Sequence, residues 1–158
     1  MAEDRNIAPA TEPSVDELPI RECWELLRGE PYGRLAVVTD DGPAIFPINT
    51  TVDGGRIVFR TASGSKLAAI AADPRVVYEV DGHDETTAWS VIVRGTAALV
   101  TRAHEGTEVV ELGLTPWQLG PKPEFVRIEP TLVTGRRFER APAAAWAVPD
   151  VHRTTSRD

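Results

Sequence analysis

Two very short turns govern what this chain can fold into. Residues 34–39 end at Asp40-Asp41-Gly42-Pro43, residues 44–52 end at Asp53-Gly54-Gly55, and residues 56–61 follow at once. All three runs are rich in β-branched and aromatic residues. Turns this short join neighbouring antiparallel strands, so the stretch predicts a β-meander. Pro47, inside the second run, removes one ladder donor. It belongs at an edge, at a bulge, or where the backbone faces something other than a strand.

Further β-texture follows at residues 76–80 and 89–100, the latter bent or interrupted at Gly95, and at 125–129 and 131–137. Residues 82–87 are polar and predict a hairpin loop. Three short helices are expected. The first spans 19–28, where Ile20, Cys23, Trp24, Leu26 and Leu27 fall at helical spacing before Gly29. The second spans 66–72 and is stopped by Asp73-Pro74; the third lies near 103–112, with Gly113 near its end. About six strands with few helices suit a six-stranded antiparallel barrel, closed or nearly closed. A length of 158 residues holds one core of ordinary size. The expected organisation is a mobile arm at 1–18, a barrel domain at 19–140 and a mobile tail at 141–158.

Charge and cysteine content remove several classes of function. Lys and Arg number 17 against 24 Asp and Glu, a net charge of −7, which argues against a nucleic-acid surface, where basic side chains must neutralise phosphates. A single cysteine, Cys23, permits no intrachain disulfide and no Cys-rich zinc site, and fits a reducing compartment. The first eighteen residues are acidic and lack the basic start and apolar run of a signal peptide. No apolar run approaches roughly 18 residues, the length of a spanning helix. The expectation is a cytoplasmic protein with no membrane partner.

The stretch with most chemical content is Phe59-Arg60-Thr61-Ala62-Ser63-Gly64-Ser65-Lys66-Leu67. A strand ends in a loop of small residues that opens directly onto a helix. A helix start offers unpaired N–H groups and the positive end of the helix dipole, so it favours an anion. Gly64 lets the backbone come close, Ser63 and Ser65 supply hydroxyls, and Arg60 and Lys66 add the charge that a phosphate dianion wants. An ordinary capped helix with two solvated basic residues is the competing reading. On the strand paired with residues 56–61 lies Ile45-Phe46-Pro47-Ile48-Asn49. Phe46, Pro47 and Ile48 can wall a flat heteroaromatic ring, while Asn49 and main-chain groups make directed contacts; the alternative is a plain core strand.

These residues bring a family into view. The run from Gly33 to Asp81 resembles the FMN-binding split-barrel family that includes pyridoxamine 5′-phosphate oxidases. The likeness rests on G-R-L-A-V-V, the P-I-N strand, F-R-T-A-S-G-S-K-L and D-P-R-V-V-Y-E-V-D, and W-S-V-I-V-R-G-T-A extends it. The resemblance implies a split β-barrel that binds FMN at the interface of a homodimer. It assigns Arg60, Thr61, Ser65 and Lys66 to the phosphate and ribityl end. Phe46, Pro47, Ile48 and Asn49 then lie along the isoalloxazine, with Trp89 and Ser90 as further contacts. Leu67 is a departure, because true pyridoxamine phosphate oxidases tend to carry a second basic residue there. The family's C-terminal substrate-binding Arg and His pair has no persuasive match in Arg136, Arg137 and His152.

The implied activity is that of a flavin reductase or oxidase acting on a small molecule, with no side chain marked as acid or base. A deazaflavin-dependent reductase is one alternative, since related split barrels take that cofactor. A non-catalytic flavin or haem carrier or sensor is another. His83, His104 and His152 are scattered and match no metal-ligand spacing. Cys23 and Trp24 read as packing on the first helix, Trp117 falls in a Pro-rich connection, and for Trp146 in the tail two readings stand, a cover over a neighbouring subunit's flavin or simple disorder.

Overall fold

The structure is a computed structural model and describes residues 14–100 and 124–140. In chain order it contains β1 (Val15–Glu17), α1 (Ile20–Gly29), β2 (Tyr32–Thr39), β3 (Gly42–Asp53), β4 (Arg56–Thr61), α2 (Ser65–Ala72), β5 (Arg75–His83), β6 (Thr87–Val100) and β7 (Glu124–Glu139). The helix expected near 103–112, the tail, and His104, Trp117, Trp146 and His152 lie outside the described residues.

The sheet runs β7-β4-β3-β2-β5-β6, and β6 returns to pair with β7, so six antiparallel strands close a barrel. The closing ladder is long, from Thr87 opposite Glu139 to Val100 opposite Phe125. Alternate residues of each strand fill the interior. Leu35, Ile57, Phe59, Tyr78, Val80, Val91, Val93, Val126 and Ile128 are almost wholly buried, which is the period-two pattern of strands with one face on a core.

The closure is incomplete along β3. Residues 42–49 pair with β2, whereas β4 pairs only with Thr50–Asp53. The Thr50 amide donates to the Pro31 carbonyl at 2.7 Å, so it points to the β2 side. Backbone groups alternate in direction along a strand, so Ile45, Pro47 and Asn49 aim theirs at the open side. Pro43 and Pro47 both withhold a donor from that edge and leave the β2 ladder intact, which is how an edge carries proline.

Three sequence expectations are corrected. Residues 125–129 and 131–137 are one strand. A bulge between Arg94 and Gly95 sets Leu132 opposite Arg94 and Pro130 opposite Gly95, so Thr131 is the extra residue and its hydroxyl donates to the Arg94 carbonyl at 3.1 Å. The bend at Gly95 is present as expected. The loop at 82–87 shrinks to a turn because β5 and β6 extend into it. Asp84 accepts from the Thr86 and Thr87 amides at 2.8 and 2.6 Å, which holds its carboxyl down at about 2. Within the expected arm, Val15–Glu17 forms a strand on β7. Its residues are exposed, so no local pattern announces it; the pairing partner creates it.

The helices close the two ends. Cys23 and Leu27 bury one face of α1, the Leu18 amide donates to the Gly135 carbonyl, and Arg137 meets Glu22 at 2.6 Å. Gly135 permits this approach, since a Cβ there would stand 2.6 Å from the Cys23 sulfur. Burial raises the Cys23 thiol pKa, in keeping with a small core residue. Inside the barrel the Tyr78 hydroxyl and Thr50 hydroxyl share a buried hydrogen bond of 2.7 Å.

Gly95→Ala should destabilise the fold by about 1–3 kcal/mol, because its Cβ would collide with the Glu129 carbonyl, a backbone atom with little room to yield; a lower urea midpoint at unchanged slope checks this. Burial pushes the Tyr78 phenol up to about 12, above its value of about 10 in the unfolded chain. That contribution is complete below pH 10 and fades as the pH climbs through 12. Tyr78→Phe should therefore lose less stability than the parent over that window in urea melts taken at successive pH values.

Candidate functional site

The local order of events at the end of β4 follows from residue type. Arg60 and Thr61 end the strand, residues 62–64 form an exposed loop, and α2 begins at Ser65 with Gly64 as its N-cap. No side chain caps this helix and its first turn carries no acid. The helix start thus faces the loop without a carboxylate or hydroxyl from Gly64, which is the arrangement that attracts an anion.

Two cations flank that start. The Lys66 ammonium stands 5.1 Å from the centre of the Phe46 ring, and the Arg60 guanidinium stands 5.2 Å from that of Phe125. Both are within range of an aromatic face. The first contact joins the start of α2 to β3, with Ser65 exposed and Lys66 half-buried. Two expected members sit differently. Thr61 is buried and its hydroxyl donates to the Ala62 carbonyl at 3.1 Å, while Leu67 packs against the barrel core.

The β3 residues divide between two faces. Phe46 lies opposite buried Leu35 and packs on the core, and Ile48 is itself buried; Pro47 points outward, with Asn49 at the same parity. A flat ring along this strand therefore meets it chiefly at the open edge, where the backbone groups of Ile45, Pro47 and Asn49 aim. Trp89 and Ser90 are farther away. Arg60 shares a row with Phe125 and Val100, at one end of β6, whereas Trp89 is paired with Arg137 near the other end. Within one chain Trp89 covers Gly82 and packs on the core, and Ser90 faces outward beside Arg136.

The outward face of β2, β5, β6 and β7 held residues that sequence reasoning missed. Registers align Arg34 with Glu79, Ile92 and Thr134, and Ala36 with Val77, Arg94 and Leu132. Val77, Ile92 and Leu132 are 36, 38 and 50% exposed. Arg34 is clasped by Glu79 at 2.8 Å and Asp81 at 2.5 Å. The signal was available in W-S-V-I-V-R-G-T-A: once Val91 and Val93 point inward, Ser90, Ile92, Arg94 and Thr96 must point out. Among the described residues no three His, Cys, Asp or Glu side chains gather as a metal would require, and no helix is long and apolar enough to cross a membrane.

Comparison with known proteins agrees with this architecture. Residues 19–137 match the family described as pyridoxamine 5′-phosphate oxidase. An uncharacterised protein of Mycobacterium tuberculosis is 35% identical over 141 residues, covering 85% of this chain and 92% of its own. A crystal structure from Corynebacterium glutamicum, provisionally named as a pyridoxamine 5′-phosphate oxidase, is 38% identical with a TM-score of 0.73, over 80% of this chain and all of that one. The FAD-binding protein of Mycobacterium smegmatis is 40% identical with a TM-score of 0.68, over 78% of this chain and 98% of its own. With its closed six-stranded barrel, its open β3 edge and a match across three-quarters of its length, the chain belongs to the pyridoxamine 5′-phosphate oxidase family, on the split β-barrel fold.

Proposed function

We propose that this chain binds FMN with its phosphate at the loop between β4 and α2, and that it acts as a cytoplasmic oxidoreductase on a small molecule. The observation that carries the reading is the α2 start: a helix of eight residues whose Gly64 cap offers no side-chain acceptor, flanked by Arg60 and Lys66. The donor set suits a phosphate dianion in kind, since two cationic side chains, the Ser65 hydroxyl and first-turn amides border the loop between β4 and α2. The buried Thr61 hydroxyl would need to turn to join them. The 40% identity to a FAD-binding protein supports the choice of a flavin; FAD and FMN share the ring, the ribityl chain and the first phosphate.

A bound flavin would supply hydride or single-electron transfer. This chain's part is to bind, orient and exclude water. Lys66, held over Phe46, ties the phosphate loop to the strand that would wall the ring. Ile45, Pro47 and Asn49 would meet the ring edge through the backbone. No acid or base is assigned.

The family contacts Trp89 and Ser90 lie far along β6 from the loop, so one barrel offers only part of the pocket. A homodimer, in which a second copy brings its Trp89–Ser90 end to the first copy's loop, completes it. A deazaflavin cofactor, or a non-catalytic flavin or haem carrier or sensor, would leave different traces. The absorption spectrum of the purified protein separates flavin, deazaflavin and haem, and bleaching by NADH or NADPH at a useful rate separates a reductase from a carrier.

Arg60→Ala combined with Lys66→Ala should weaken FMN binding by about 100-fold or more, because two charge-assisted contacts of roughly 1.5–3 kcal/mol each are removed. Circular dichroism should show the barrel intact, and an unchanged FMN titration would defeat the site. Light scattering of FMN-loaded protein should give the mass of two chains; a monomer that retains FMN would defeat the shared pocket.

A further inference from the structure

On the outward face, beside the bulge in β6 and β7, lies a groove of about 650 Å³. Val38, Pro43 and Val77 form its apolar walls, and Arg75, Arg94 and Thr131 border it. It lies across the sheet from the Lys66–Phe46 contact, because Phe46 faces the core while Pro43 and Val38, opposite each other on β3 and β2, are exposed. A volume of this size accommodates a drug-sized ligand.

Two observations say what would enter it. Val38 and Val77 are 46 and 36% exposed, so an apolar body gains by covering them. The two arginines then differ in their commitments. Arg75 is clamped by Asp73 through contacts of 2.9 and 2.6 Å, whereas no hydrogen bond or ion pair joins the Arg94 side chain to another of the described residues. The nearest outward carboxylates across the register, Glu79 opposite Ile92 and Glu129 opposite Thr96, are held by Arg34 and by Arg56 and Arg127 respectively. Thr131 has spent its hydroxyl on the Arg94 carbonyl, which fixes the backbone from which Arg94 projects. A bulge of this kind re-aims the side chain beside it. In a chain of net charge −7 the groove therefore offers Arg94 as a cation with no carboxylate partner among the described residues.

We infer that this groove is a small-molecule site for an amphipathic monoanion, an aryl or alkyl carboxylate or sulfonate, whose head group meets Arg94 and whose body lies on Val38, Pro43 and Val77. The site stands independently of the flavin reading, because none of these residues belongs to the phosphate loop or the β3 edge beyond Pro43.

The test uses the full chain, with and without FMN, and the probe 8-anilinonaphthalene-1-sulfonate followed by fluorescence. One saturable site per chain is expected. Arg94→Gln should weaken binding by at least about tenfold, the value of one charge-assisted contact, and Arg94→Lys should recover most of it. The uncharged N-phenyl-1-naphthylamine should bind equally to the parent and Arg94→Gln, and Val77→Asp should abolish both dyes. FMN affinity should stay the same in every variant, so a failed flavin titration and a failed dye titration are separate results. The inference is overturned if Arg94→Gln leaves the sulfonate affinity unchanged, or if it weakens the uncharged dye equally. It is also overturned if Val77→Asp splits a dimer and the dye binds only the separated chains, because the groove is then an interface between copies.

Discussion

The β6–β7 ladder is the constraint on which the molecule depends. It joins the two longest strands over their whole length and turns an open sheet into a barrel. Removing edges in this way protects the strands from pairing with other chains. A ladder this long between curved strands must relieve twist somewhere, and the Arg94/Gly95 bulge is where it does so. Gly95 is needed because the Glu129 carbonyl occupies the space a Cβ would take. The same closure recruits the ends of the chain: the last part of β7 collects β1 on its free side and α1 across Gly135.

Closing the barrel at β6 and β7 leaves the opening elsewhere. β4 is six residues long and β3 is twelve, and only Thr50–Asp53 pair with β4, so two-thirds of β3 has a neighbour on one side only. Prolines at 43 and 47 keep that edge from acting as a template for a foreign strand. Immediately after the short strand comes the loop that starts α2, and the Lys66–Phe46 contact draws it to the edge strand. An exposed backbone edge and an uncapped helix start thus arise from one cause, the mismatch in strand length. The outward face of β2, β5, β6 and β7 is a separate surface, apolar in its middle and edged with arginines.

Much of the barrel was legible in order. The meander at 34–61 carries turn residues that permit little else, and Gly54 and Gly55 adopt the positive φ that such turns require. Arg56–Thr61 matches the expected bounds, and the helix after Ser65 begins one residue earlier than expected. The failures share a character. β1 has no apolar alternation, and the break expected at Pro130 is absorbed by a bulge at Thr131 in the ladder with β6; both depend on a partner distant in sequence. At the candidate site the residue types at 60–66 suited an anion, with an ordinary capped helix as the competing reading. Sequence could not say that Thr61 turns inward, that Leu67 packs on the core, or that Phe46 and Pro47 lie on opposite faces with one touching Lys66.

The amino-acid sequence by itself determined the meander strands of residues 34–61 with their antiparallel neighbours and the loop of small and basic residues, because those features follow from turn chemistry, side-chain period and the unpaired amides of a helix start. Only the tertiary structure decided where the barrel closes and where it stays open, which strand face each site residue occupies, and that Arg94 has no carboxylate partner among the described residues. Register and closure arise from pairings between residues far apart in the chain, and a shift of one residue would exchange the two faces of every strand involved.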